Sequence, residues 1–144
     1  MNAHPEGMAL IECRVDGDPR LIAGAAVIVA HIARRAGLSN GAASDLAGAA
    51  VQTCQAVLKS QPTTESRTIR LLACELPNSI EVSVEPAAAS SATRLSPQQC
   101  RDFADRVRQT LKSSTHAVNV EIREGLPRVT LVTNCGVHKH PFAV

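Results

Sequence analysis

Between Asp18 and Ser60 the chain carries two helical patterns back to back, broken only at Gly37, and both are rich in small side chains. Asp18-Pro19 opens the first, with Asp as N-cap and Pro at the first helical position, where its missing N–H costs nothing. The pattern runs to about Arg35 and stops at Gly37, a residue suited to a C-cap. Ser39 or Asn40 then caps a second helix, which ends at the polar loop Ser60-Gln61-Pro62-Thr63-Thr64. Within it Ala47, Ala50, Val51, Cys54, Val57 and Leu58 recur at helical spacing as one apolar stripe. Gln52 and Gln55 fall within or beside that stripe, where a plain packing helix would carry aliphatics. The longest apolar run, Leu21 to Ile32, contains Gly24 and His31 and is followed by Arg34 and Arg35, so it is too short to span a bilayer.

The rest of the chain must supply the layer these helices cover, and its periodicity is that of strands. Met8 to Val15 has extended, apolar character, and Asp16-Gly17-Asp18 signals a turn. Thr68 to Glu75 and Ser79 to Glu85 read as a hairpin joined at Leu76-Pro77-Asn78. In the second, Ile80, Val82 and Val84 alternate with Ser79, Glu81, Ser83 and Glu85, which places Glu81 and Glu85 on an exposed face. Pro86 to Thr93 is a short Ala/Ser loop. Ser96-Pro97 caps a third helix over Pro97 to Lys112, with Cys100, Phe103, Ala104, Val107 and Leu111 on its buried side. Ala117 to Arg123 and Arg128 to Thr133 close the chain as a hairpin around Glu124-Gly125-Leu126-Pro127, and no periodicity follows Asn134. The order β-α-α-β-β-α-β-β predicts one α+β domain: a two-layer sandwich with a mixed or antiparallel sheet of four to five strands and helices on one face.

At 144 residues one hydrophobic core can close. With two Phe, no Tyr and no Trp, that core is built from Ala, Val, Leu and Ile, which pack closely but bury little area each, so modest stability is expected. Net charge is +2 and the basic residues are scattered singly or in pairs. Without a basic stripe or stacking aromatics, a nucleic-acid partner is not expected. Neither a membrane span nor a secretory signal is evident, so a cytoplasmic protein is the expectation.

Few residues suggest chemistry. The five cysteines stand far apart, at 13, 54, 74, 100 and 135, and in a reducing compartment read as small core residues. Cys135, His138 and His140 make at most half a metal site, and no metal is expected. Cys54 sits on an apolar face, His31 on a helix edge, and His116 at a helix-to-strand junction where a solvated histidine is the default. Asp102 and Asp105 lie among Arg101, Arg106 and Arg108, the pattern of a solvated ion-paired helix. There is no Gly-rich phosphate loop, no GxSxG elbow and no matched acid and base, so no catalytic residue is assigned.

Taken together, "DPRLIAGAAVIVAHIARRAGLSNGAASDLAGAAVQTCQAVLKS", "SIEVSVE" and "AVNVEIREGLPRVTLVTN" resemble the anti-sigma-factor serine-kinase family of histidine-kinase-like (GHKL) ATPases with the Bergerat fold. The resemblance runs from about Ala9 to Asn134 and rests on element order and "AGLS". It implies a histidine-kinase-ATPase-like core over 8–134 with a tail at 135–144. It places Gln52 where the family has its N-box Glu, and Ala56 where it has the Asn that holds Mg²⁺. Gln lacks a basic carboxylate and Ala an oxygen ligand. The family's adenine-reading Asp falls at Pro86, with Glu85 beside it, and the loop glycines fall at Ala88 and Ser90.

What the resemblance implies is therefore a regulatory, protein-binding domain without catalysis or cofactor. Its partner would be a bacterial sigma factor or an anti-anti-sigma antagonist. The helix from Leu21 to Ala36 is the candidate for core packing or for pairing in a homodimer. Two alternatives stay open: an ATP-dependent serine kinase whose atypical site uses Gln52 and Glu85 with ATP and Mg²⁺, and an unrelated α+β accessory or assembly subunit.

Overall fold

The computed structural model describes residues 10–16, 18–61, 68–87, 94–112 and 116–135. In chain order they form β1 (Leu10–Asp16), α1 (Pro19–Arg35), α2 (Asn40–Lys59), β2 (Thr68–Glu75), β3 (Ser79–Pro86), α3 (Pro97–Thr110), β4 (Ala117–Arg123) and β5 (Leu126–Asn134). The strands make one antiparallel five-stranded sheet in the order β1-β2-β3-β5-β4. The α+β class and the order of elements are as the sequence predicts, and the sheet is antiparallel throughout.

Local chemistry explains the helix ends. Asp18 Oδ1 accepts from the Arg20 amide at 2.9 Å, and this bonding to Arg20 holds the Asp18 carboxyl below its usual range. Helix α1 stops in a Schellman turn: the Gly37 amide donates to Arg34 and the Leu38 amide to Ala33, both at 3.0 Å. Gly37 takes φ 108° there, the left-handed geometry that glycine supplies without a Cβ clash. Ser39 caps α2, its Oγ accepting from the Ala42 amide at 3.1 Å. Helix α3 opens with a full capping box, Ser96 and Gln99 each bonding the other's backbone.

Alternation along the strands sorts the sheet into two faces. The inner face carries Val15, Ile69, Leu71, Ala73, Ile80, Val82, Val84, Val129 and Leu131. These join Ile22, Val29, Leu46, Val57, Phe103 and Val107 from the three helices in a single buried cluster. The helices therefore cover that face, and fully burying each aliphatic side chain is worth roughly 1.5–3 kcal/mol. Helix α1 buries Ile22, Ala25, Val29, Ile32 and Ala33, which is core packing. Its far side leaves Leu21 and Val27 51% and 66% exposed.

Three sequence expectations are corrected in detail. On α2 the buried side is shifted: Leu46, Ala49 and Thr53 are buried, whereas Ala47 and Val51 are half-buried. On α3, Cys100 and Ala104 are half-buried and only Phe103 and Val107 are fully enclosed within the helix. The last hairpin turns on Glu124-Gly125 alone, both at positive φ (54° and 79°), the signature of a type I′ turn. Leu126 and Pro127 belong to β5. Pro127 is tolerated because the β3–β5 register ends at Val84↔Val129, so no ladder bond is asked of its nitrogen on that side. A Cβ on Gly125 would meet Arg94 and the Leu95 backbone at 3.0 Å, and the Leu95 amide donates to the Gly125 carbonyl at 2.7 Å. The turn is thus clamped to the segment entering α3. Met8, Ala9, Ala88 and Ser90 lie outside the described residues. No helix among the described residues is long and apolar enough to cross a membrane.

Candidate functional site

The outer face of the sheet carries the ionic chemistry of the molecule. Strand register sets Arg14 opposite Arg70 and Arg70 opposite Glu85. Continuing the same register across β5 and β4 places Arg128 beside Glu85, and Arg128 stands opposite Glu121. One row thus crosses all five strands with charged side chains. Glu85 is the hub. Its Oε2 accepts from the Arg70 guanidinium, and its Oε1 lies 3.8 Å from Arg128 Nε. Only 19% of its side chain is exposed, against 34% for Arg70, so this pair is shielded well beyond an ordinary surface ion pair. Glu12 extends the cluster, 3.6 Å from Arg70. In the next row Ser83 Oγ and Thr130 Oγ1 are 3.2 Å apart, with Arg128 donating to Ser83 at 3.4 Å.

Beside this hub lies an open concavity of about 380 Å³, lined by Glu85, Glu121, Arg123, Leu126, Pro127 and Arg128 among others. Its carboxylates and guanidiniums are intermixed. Such a surface favours polar, mixed-charge contacts over any one small anion or cation. Glu85 in particular is engaged by two guanidiniums and is poorly placed to act as a base.

Gln52 belongs to another region. It is exposed on α2 and lines a shallow depression of about 430 Å³ with Ser44, Asp45, Gly48, Thr110 and Leu111. Gln55, also exposed, lines a smaller groove between the helices with Pro19, Ala23, Val51 and Lys59. Ala56, four residues after Gln52, is buried. Because α2 packs on the inner face and Glu85 projects from the outer one, the sheet separates Gln52 from Glu85. The two glutamines are the solvated side of a packing helix. The structure does not bring the candidate cofactor residues together.

The remaining sequence candidates sort as follows. Cys54 is enclosed, and burial pushes its thiol up to about 12, which leaves no thiolate nucleophile at neutral pH. Cys74 is raised as well, first by burial and then by Glu81 and Glu75. Asp102 accepts from Gln98 at 2.9 Å on the exposed side of α3, and Asp105 and His31 are exposed. Two expectations are corrected. Glu81 and Glu85 are half-buried on a covered charged face, not fully exposed. His116 is buried and hydrogen-bonds through Nδ1 to Thr133 Oγ1, so it is not a solvated loop residue. Cys135 is buried at the end of β5, its amide donating to Asn78 at 2.9 Å; His138 and His140 lie outside the described residues. Among the described residues no group of three or more His, Cys, Asp or Glu could hold a metal ion.

The row centred on Glu85 does not follow from the expected loop: Leu76-Pro77-Asn78 would set Glu75 opposite Ser79 and Arg70 opposite Val84. The hairpin instead turns on Pro77-Asn78, the Leu76 amide donating to the Ser79 carbonyl at 2.8 Å, which sets Arg70 opposite Glu85. Arg128 is missed because β5 joins β3 across α3 and β4, a pairing no local signal announces. No protein-family model matches the chain, and no curated protein matches it either.

Proposed function

We propose that this chain is a non-catalytic regulatory domain of the histidine-kinase-like ATPase type that acts in the cytoplasm by binding another protein. The observation that carries the reading is the separation of the two residues a nucleotide would need. Gln52 is on the solvent side of α2, and Glu85 is on the opposite face of the sheet, held by Arg70 and Arg128. The alternative, an ATP-dependent serine kinase with an atypical site, needs both to contact one ligand. Ala56 adds to the case, since its buried methyl offers no oxygen to Mg²⁺. The element order, with an α-helical hairpin layered on an antiparallel sheet, supports the family resemblance on which the partner class rests. That class is a sigma factor or the antagonist that displaces it.

Two measurements test the reading. Titration calorimetry with ATP and Mg²⁺ is expected to give no binding heat; saturable micromolar binding would overturn it in favour of the kinase. Gel filtration with sigma factors and antagonists encoded beside this chain is expected to yield a stoichiometric complex. Failure with every such protein would point instead to an unrelated accessory subunit.

A further inference from the structure

Strands β3 and β5 stop pairing at Val84↔Val129, and past that point a proline stands on each. Pro86 closes β3 and Pro127 lies near the start of β5. Neither has an N–H, so neither can donate a ladder bond there. The concavity of about 380 Å³ opens at this end of the sheet, with Pro86, Leu126 and Pro127 as its apolar wall.

Glu121 and Arg128 also line it. They stand directly opposite one another on β4 and β5, where opposite charges ordinarily attract, yet each is ion-paired elsewhere. Among the described residues Glu121 pairs only with Arg123, at 3.7 Å, and that guanidinium is 80% exposed. Arg128 lies 3.8 Å from Glu85 and donates one long bond, to Ser83 at 3.4 Å. Its enclosed Nε makes no hydrogen bond. A carboxylate and an under-used guanidinium thus border one space without closing on each other.

We propose that this concavity binds a free α-amino acid with an apolar side chain. Its carboxylate sits on Arg128, its ammonium on Glu121, and its side chain against Pro86, Leu126 and Pro127. A guanidinium takes a carboxylate through two parallel N–H bonds, and an ionised Glu accepts from an ammonium. One carbon separates the two charged groups of an α-amino acid, which suits anchors on directly opposite residues. A peptide holds its termini apart and would satisfy only one of them. A lone anion would meet Glu85, Glu121 and Glu124, and a lone cation Arg123 and Arg128. The volume is that of a small-molecule site. The inference adds a ligand to the outer face and does not depend on the proposed function.

The test is an amide NMR titration of the full chain with L-leucine. Saturable binding is expected, with shifts centred on Glu85, Glu121, Arg123, Leu126 and Arg128. Isoamylamine lacks the carboxylate and isocaproate lacks the ammonium, so each should bind roughly tenfold more weakly or worse. Glu121→Gln keeps the side-chain shape and should weaken leucine about tenfold while leaving isocaproate no weaker. Arg128→Gln should weaken leucine and leave isoamylamine no weaker; because it also strips a partner from Glu85, the dispersion of the same spectra checks its fold. No saturable binding, equal affinity for all three compounds, shifts centred elsewhere, or a leucine affinity indifferent to Glu121→Gln would overturn the proposal.

Discussion

Leu71 and Leu72 are neighbours on β2, yet they report two different environments. Leu71 points into the cluster beneath α1 and α2 and is 1% exposed. Leu72 is half-buried on the outer face, its register neighbours being Glu12 and Ser83. The inner face packs into a layer of buried, largely aliphatic side chains, and among the described residues no Asp, Glu, Lys or Arg is fully buried. The outer face is shielded instead by long ionic side chains laid across it, with Ser83 buried beneath them. One sheet thus closes one surface by packing and the other by cross-strand ion pairing. The difference predicts how each should fail.

Leu71→Ala should produce the largest effect, a loss of about 2–5 kcal/mol, because the enclosed cavity cannot collapse fully; urea unfolding would show it as a fall in midpoint. Glu85→Ala should cost less, about 1–3 kcal/mol, as it strips the shared partner from Arg70 and Arg128. Its signature is salt dependence: the gap to wild type should narrow in high salt, where screening weakens what remains of the pairing. A gap that ignores salt would mean the outer face is held by packing after all. Leu72→Ala should cost about 1 kcal/mol, since water already reaches it. If it matches Leu71→Ala, the two faces are not distinct.

Two smaller effects sharpen the same contrast. Under alkylation at mildly alkaline pH, Cys74 on the outer face should be modified well before Cys54, whose buried thiol, raised to about 12, reacts only on unfolding. Peptide mapping of a time course reads the order. The smallest effect lies at the rim, at Asp18. Hydrogen bonding to the Arg20 side chain and amide holds its carboxyl below the ordinary aspartate range, so its cap contribution is present above that range and lost as pH falls through the folded pKa. Asp18→Asn, which also caps, should remove that acid dependence while leaving stability at neutral pH nearly unchanged.

How much of this was legible depends on whether the determining signal is local. Asp18, Gly37, Ser39 and Ser96 are caps readable within a few residues, and each does what its type suggests. The alternation of Ser79–Glu85 likewise assigns Val82 and Val84 to the core. Pro127 misleads because proline reads as turn, whereas its place in β5 depends on where β3 stops. His116 was missed for a related reason: only a two-residue turn at Glu124-Gly125 brings it beside Thr133. The candidate site was legible as a list of residues and not as an arrangement. Gln52 and Glu85 could be named from alignment to a motif. That the sheet stands between them is a fact of layering, which no spacing along the chain encodes.

The connection between β1 and β2 carries a kinetic consequence. These strands are neighbours in the sheet, but the whole helical hairpin lies between Asp16 and Thr68 in the chain. The hairpins β2–β3 and β4–β5 close short loops, whereas joining β5 to β3 and docking β1 on β2 each close a long one, the second the longer, and loop-closure entropy grows with length. Strand β1 is therefore expected to be the last incorporated. In a φ-value series, substitutions in β1 should speed unfolding and leave the folding rate almost untouched, while those in β3 slow folding. On that order of events, a four-stranded sheet would precede the docking of β1, and its β2 edge would be a vacant template for any β1 within reach, from its own chain or another.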